Sequence, residues 1–303
     1  MKHALLITNL NARSVSERVK RVIVKALSAD LKLEVQDTKA RNHATELAAD
    51  AADRGLDLVI SFGGDGTMNE VVNGLAGSET VLGLLPGGMA NVFCRTLGMP
   101  VDIVEATGVM LTGLRDFRTR PINIGKIEDR YFVMSCGVGI DAATVRRTEA
   151  NPVAKRKYKH WFFLSSAFKT AFTEFRRVDP FITMKSGESS DRVVFAVVSN
   201  IPTFTYFKNM PITVTPDAKL DEGLDVFAMR KFTMPYIPRL LWSAFHSGSH
   251  VRYKHSAYWT DLSEVSIAAD EGRTFAVQVD GEYLGERSEV NVTSVTDAIK
   301  VLT

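Results

Sequence analysis

The sequence predicts a chain of α/β plus β class. A parallel-sheet α/β domain covers about residues 1–121, and an antiparallel, β-rich, sandwich-like domain covers 122–303. Three observations predict it. As far as Arg120, short apolar runs alternate with helical periodicity, as they do in a parallel sheet wrapped by helices. Beyond Arg120, short strand candidates succeed one another with only two helical interruptions. The length of 303 residues, with 45% apolar side chains, favours two cores over one.

The first domain opens with a short buried-strand run, Ala4–Thr8. Ser14 and Glu17 have the spacing of a capping box ahead of a helix over Arg18–Ala29. Leu31, Leu33 and Val35 alternate as a strand; Ala44, Leu47, Ala48 and Ala51 recur on one helical face. Leu58–Phe62 is an apolar strand, followed by a glycine turn and a helix over Met68–Leu75. Val81–Leu85 repeats the strand, Pro86-Gly87-Gly88 breaks it, Asn91–Leu97 reads as helix, and Asp102 caps another.

In the second domain the strand candidates are Tyr131–Ser135, Phe181–Met184, Val193–Val198, Ile212–Thr215, Leu224–Met229, Glu264–Ala268, Val277–Asp280 and Glu289–Val292. Helical patterns run near Ala154–Arg177 and Pro235–Ser247. Asp297–Leu302 has the pattern of a strand that could return to either domain.

Composition narrows the function classes. A net charge of +2 is too balanced to argue for nucleic-acid binding. Cys94 and Cys136 lie in apolar stretches without metal-ligand spacing, which favours a reducing, cytoplasmic setting. The apolar run near the N-terminus stops at Thr8, too short for a signal-peptide core, and no stretch has the ~20 apolar residues of a membrane span. The histidines show no HExxH-type spacing, and no Gly-x-Ser-x-Gly or Walker motif occurs.

The chemistry concentrates in Ser61–Gly77, SFGGDGTMNEVVNGLAG. A glycine turn between a buried strand and a helix presents backbone N–H groups to an anion. Gly63, Gly64 and Gly66 permit close approach, but a tight βα connection needs no aspartate. Asp65 would repel a phosphate unless a cation lay between them, which suggests Mg²⁺ carried with a nucleotide.

GGDGT continued directly by MNEVVNGL resembles the catalytic domain of the diacylglycerol kinase superfamily, in particular the bacterial soluble lipid kinases of the YegS type. The resemblance runs over nearly the whole chain. It implies an ATP-dependent lipid kinase that passes the γ-phosphoryl group to a lipid hydroxyl, of diacylglycerol, phosphatidylglycerol or a similar lipid. By the same resemblance, Gly64, Asp65, Gly66, Thr67, Met68, Asn69 and Glu70 hold the ATP phosphates and Mg²⁺, with Gly63 leading into the loop. Thr38 takes the place of a nucleotide-contacting threonine, and Asn9 survives from an N-terminal Asn-Pro-x-Ser-Gly turn that reads here Asn-Leu-Asn-Ala-Arg. PGGMAN at Pro86–Asn91 matches the second phosphate-side loop, contributing Gly88, Met89 and Asn91, with Met89 where Thr is usual.

VDGE at Val279–Glu282 matches the family's second-domain motif. Glu282 is implied as the general base beside Asp280. Read without the resemblance, Asp280-Gly281 is a hairpin turn. Thr215–Phe227 resembles a segment holding a structural Mg²⁺, with the carbonyls of Lys219 and Leu224 and the carboxylate of Glu222 as implied ligands; Glu222 stands where Asp is usual. Lys155, Arg156, Lys157 and Lys159, next to Trp161, suit a peripheral contact with an anionic membrane, the source of a lipid substrate. Two alternatives stay open: a kinase of a soluble substrate such as NAD, or a nucleotide- or lipid-binding protein with lost or weak turnover.

Overall fold

The computed structural model describes residues 1–150, 166, 169, 170, 173, 178–207, 209–231 and 237–303. The basic cluster Lys155–Lys159 and most of the helical pattern 154–177 lie outside the described residues. The chain divides into two compact units, residues 1–124 with 296–303, and residues 125–295.

In the first unit, β1 (Lys2–Thr8), α1 (Glu17–Leu27), β2 (Leu31–Asp37), α2 (His43–Asp53), β3 (Leu58–Gly63), α3 (Asp65–Leu75) and β4 (Val81–Pro86) alternate. They are followed by α4 (Val92–Thr96), α5 (Ile103–Asp116) and β5 (Thr119–Ile127). The pairings β1–β2, β1–β3 and β3–β4 are all parallel. Every residue of β3 and β4 is buried, which is why both read as unbroken apolar runs. Leu58, Ile60 and Phe62 are wholly enclosed, each contributing roughly 1.5–3 kcal/mol by burial.

The second unit contains β6 (Arg130–Phe132), β7 (Ser135–Val138), α6 (Ile140–Glu149), β8 (Ile182–Ser186), β9 (Ser189–Val193) and β10 (Phe195–Ser199). Next come β11 (Thr203–Phe207), β12 (Met210–Thr213), β13 (Leu224–Met229), α7 (Ile237–His246), β14 (Ser256–Leu262) and β15 (Glu264–Ala269). β16 (Phe275–Val279), β17 (Glu282–Arg287) and β18 (Glu289–Leu302) complete it. Six strands form an antiparallel sheet in the order β14-β13-β10-β7-β16-β17. β8, β9, β15 and the first part of β18 pair antiparallel around a second apolar layer that includes Val265, Ile267, Val290 and Val292. The last residues of β18 belong to the first unit, where Val301 pairs parallel with Leu82 of β4.

Three local expectations need correction. Helix α1 is capped by Ser16, whose hydroxyl accepts from the Val19 N–H, whereas Ser14 is drawn off to donate its own N–H to the Gly87 carbonyl. The helix after the glycine turn begins at Asp65, three residues earlier than its apolar periodicity shows, because the polar first turn carries no hydrophobic signal. The candidate strand Tyr131–Ser135 is split into β6 and β7, since the N–H groups of Val133, Met134 and Ser135 turn to the Asp280 carboxylate.

Candidate active site

In the first unit two glycine segments leave the carboxyl ends of adjacent parallel strands, where α/β sheets bind ligands. They pack backbone against backbone. The Gly87 N–H donates to the Gly63 carbonyl at 2.7 Å, and a Cβ on Gly88 would lie 2.7 Å from the Gly64 Cα. A Cβ on Gly63 would meet the Thr67 side chain at 2.7 Å. Gly63, Gly87 and Gly88 are required by the protein's own packing, whereas a Cβ on Gly64 would make only ordinary contacts. Gly66 is not required: a Cβ there meets nothing within 4 Å, its φ lies outside the left-handed region, and it is exposed.

Asn9 and Asn91 brace the two segments. The Asn9 amide donates to Thr67 Oγ1 at 2.9 Å, and its carbonyl oxygen accepts from the Asn11 N–H. Asn91, in the left-handed region at φ 46°, accepts from the Gly88 N–H at 2.8 Å and donates back to the Gly88 carbonyl. Met89 projects from this loop, 41% exposed.

Asp65 is the first residue of α3, after an N-cap Gly64 whose missing side chain offers no cap. Its carboxylate accepts from the Phe93 N–H at 3.4 Å. Burial pushes its pKa up, opposed by backbone N–H groups at Phe93, Val92 and Asn91. A desolvated carboxylate with only backbone donors fits one divalent ion, which would complete its shell from nucleotide phosphates. Among the described residues no group of three or more His, Cys, Asp or Glu could hold a metal by itself.

The remaining expected residues of this unit divide. Thr38 donates its N–H to the Thr8 carbonyl, beside Asp37, which pairs with Lys20 at 2.8 Å. Met68 and Asn69 are buried, and Asn69 accepts from Asn73 one turn on. Glu70 accepts from the Ala44 N–H at 3.1 Å and so caps α2, whose own N-cap residue Asn42 makes no side-chain capping bond. Cys94 lies behind the loop, its thiol pushed up to about 12 by burial, which leaves it protonated at neutral pH.

In the second unit, Asp280 and Gly281 link β16 to β17 with φ of 47° and 83°, a two-residue hairpin turn with both residues left-handed. The hairpin is also a carboxylate platform. Asp280 accepts from the N–H groups of Val133, Met134 and Ser135 at 2.9–3.0 Å. Glu282 instead accepts from Arg130 Nη2 at 2.5 Å, with about a quarter of each side chain exposed.

The acidic loop before β13 is held together by its own polar contacts. Glu222 Oε1 lies 2.5 Å from Lys219 Nζ, and the Lys219 carbonyl already accepts from the Glu222 N–H. Asp225 accepts from the Tyr258 hydroxyl, and Asp261 from the Gly223 N–H. The Lys219 ammonium thus faces the Glu222 carboxylate at the place where the resemblance implies a divalent ion.

A family model for the diacylglycerol kinase catalytic domain matches residues 3–127, and one for the YegS C-terminal NAD kinase beta sandwich-like domain matches residues 134–303. The chain belongs to this lipid-kinase family. Membership makes it a phosphotransferase acting on an alcohol group. It is 29% identical to a diacylglycerol kinase of Bacillus subtilis (strain 168), over 94% of this chain and 91% of the relative. A diacylglycerol kinase of Staphylococcus epidermidis is 28% identical over 97% and 90%. A crystal structure of a diacylglycerol kinase from Bacillus anthracis str. Sterne covers 99% of this chain and 96% of its own, with a TM-score of 0.72 at 21% identity. Another from that organism reaches 0.77 at 22%. At those identities the structures show a shared fold.

For a member of this kinase family, two pairings had no sequence signal. Arg130 lies 152 residues from Glu282, and its partnership arises only when β6 is laid near the β16–β17 turn. Asp141, at the start of α6, accepts from Gln278 Nε2 at 2.7 Å, while Gln278 Oε1 accepts from the Gly281 N–H of the turn. Its carboxyl packs against Gly137, and burial pushes its pKa up to about 6.

Proposed function

We propose that the chain transfers the γ-phosphoryl group of ATP to the hydroxyl of a membrane lipid of the diacylglycerol type. The first unit, residues 1–124 with 296–303, binds the nucleotide, and residues 125–295 take the lipid. The observation that carries the reading is Gly66. It alone of the glycines in GGDGT has open space above it and no conformational need for glycine, which leaves approach of a ligand as its reason. The relatives named diacylglycerol kinase supply the acceptor class.

Phosphoryl transfer needs positioning and charge neutralisation more than covalent chemistry from the protein. The first turn of α3 receives the phosphates through backbone N–H groups, and the Pro86–Asn91 loop, its Gly87 and Gly88 N–H groups already committed, walls the site. Asp65 would hold Mg²⁺, a source of positive charge beside the phosphates when it is bound. Glu282 takes the proton of the attacking hydroxyl; Asp280, with both oxygens committed to backbone donors, keeps the turn in place. Arg130 orients Glu282 through their ion pair. Among the described residues no helix is long and apolar enough to cross a membrane, which fits an enzyme that acts peripherally from the cytoplasm.

Incubating the protein with γ-labelled ATP and a total membrane-lipid extract tests the reading. Mg²⁺-dependent label in an extractable lipid is expected. Label only in NAD, or in no product, would contradict it.

A further inference from the structure

The geometry points to the α7 face and its neighbouring hairpin as a docking surface for an anionic lipid bilayer. Trp242 is 67% exposed in the middle of α7 and stacks on His246 at 4.1 Å, with Arg239 one turn before it on the same face. A tryptophan held against solvent, flanked by cationic or protonatable side chains, has the composition of a membrane–water interface. Beside it, β11–β12 presents Met210, 48% exposed, and packs through the edge-to-face contact of Phe207 with Phe245 on α7. The surface thus offers apolar and aromatic groups for the acyl boundary.

Charge identifies the occupant. From Val226 to Thr260 the chain has no Asp or Glu in 35 residues, although its 35 acidic residues in 303 would place about four there. The same stretch carries Arg230, Lys231, Arg239, Arg252 and Lys254. Arg230 is paired with Asp191, but among the described residues the other four make no ion pair with a carboxylate, and all four are exposed. They share one neighbourhood. The Arg239 guanidinium lies 4.7 Å from the Tyr253 ring, between Arg252 and Lys254 in sequence, and the Arg230 N–H donates to the His255 carbonyl. Cations with no carboxylate partner among the described residues, set around an exposed tryptophan, match anionic headgroups above an apolar layer, each cation being worth roughly fivefold in surface binding.

The surface deepens the lipid-kinase reading, because that reading requires the enzyme to reach a bilayer, yet its test needs no turnover. The full chain is mixed with vesicles of phosphatidylcholine, with or without phosphatidylglycerol, some prepared with brominated acyl chains. Sedimentation and fluorescence quenching are compared for wild type and Trp242→Phe. Expected are binding that requires phosphatidylglycerol and quenching that largely disappears in Trp242→Phe. Arg252→Ala/Lys254→Ala should weaken binding ten-fold or more, while activity on a short-chain, water-dispersed acceptor stays at the wild-type level. Vesicle binding with equal quenching in both proteins would overturn the proposal, since the contact would then lie elsewhere, as would absence of binding to either vesicle. Loss of turnover in every assay, with Trp242-dependent quenching intact, would refute the kinase reading and leave this surface standing.

Discussion

Arg130 Nη2 meets Glu282 Oε2 at 2.5 Å, while the Asp280 carboxylate two residues earlier is filled by three backbone N–H groups. Two neighbouring acids therefore have different work. Glu282→Gln should lower kcat by roughly 10²–10⁴ with little change in melting temperature. Asp280→Asn would turn an amide N–H toward the Val133 donor and cost about 1–3 kcal/mol of stability. Thermal melts beside initial rates separate the two; equal destabilisation by both substitutions would remove the distinction.

Gly66 and Gly88 lie in neighbouring loops and should respond oppositely to alanine. Gly88→Ala drives a Cβ to 2.7 Å from the Gly64 Cα and should cost about 1–3 kcal/mol. Gly66→Ala has free space in the first turn of α3 and should leave stability unchanged or raise it by up to about 1 kcal/mol. It should still weaken ATP at least several-fold, read by calorimetry. Unaltered ATP affinity in Gly66→Ala would leave that glycine without a reason.

Much of this architecture is visible in the sequence, and the reason is burial. β3 and β4, enclosed on both faces, appear as continuous apolar runs, and β13 appears with its observed limits Leu224–Met229. Strands with mixed environments leave weaker patterns: β11 is half-buried throughout and β17 nearly so, and neither has an apolar run to mark it. The glycine loops could be found because their residue types are unusual, but their mutual packing could not, since Gly63 and Gly88 look like Gly66 in a string of letters. Glu70 shows the same limit. It sits in the GGDGT-to-helix segment, yet its carboxylate caps α2, a contact decided by how two helices cross.

Asp141 gives a prediction in pH. Burial pushes its pKa up to about 6 from an ordinary 3.8, so between those values the folded protein binds more protons than the unfolded chain. Stability contributed at this site is therefore greatest below pH ~4, falls as pH rises towards ~6, and is flat above. Asp141→Asn keeps an acceptor for Gln278 and removes the charge. Relative to wild type it should gain roughly 1–2 kcal/mol at neutral pH, after allowance for residual solvation, and little at pH ~4. Urea titrations of both proteins at the two pH values check the sign; a gain confined to the acid side would contradict it.

The most direct test of the account is transfer of label from γ-labelled ATP to purified diacylglycerol in mixed micelles with Mg²⁺, comparing wild type, Asp65→Asn and Glu282→Gln. The account predicts organic-phase label with the wild type and a loss of at least about a hundredfold in each variant, with melting curves for all three that show a folded protein. Wild-type rates in either folded variant, or wild-type protein that binds ATP yet labels no lipid, would contradict it.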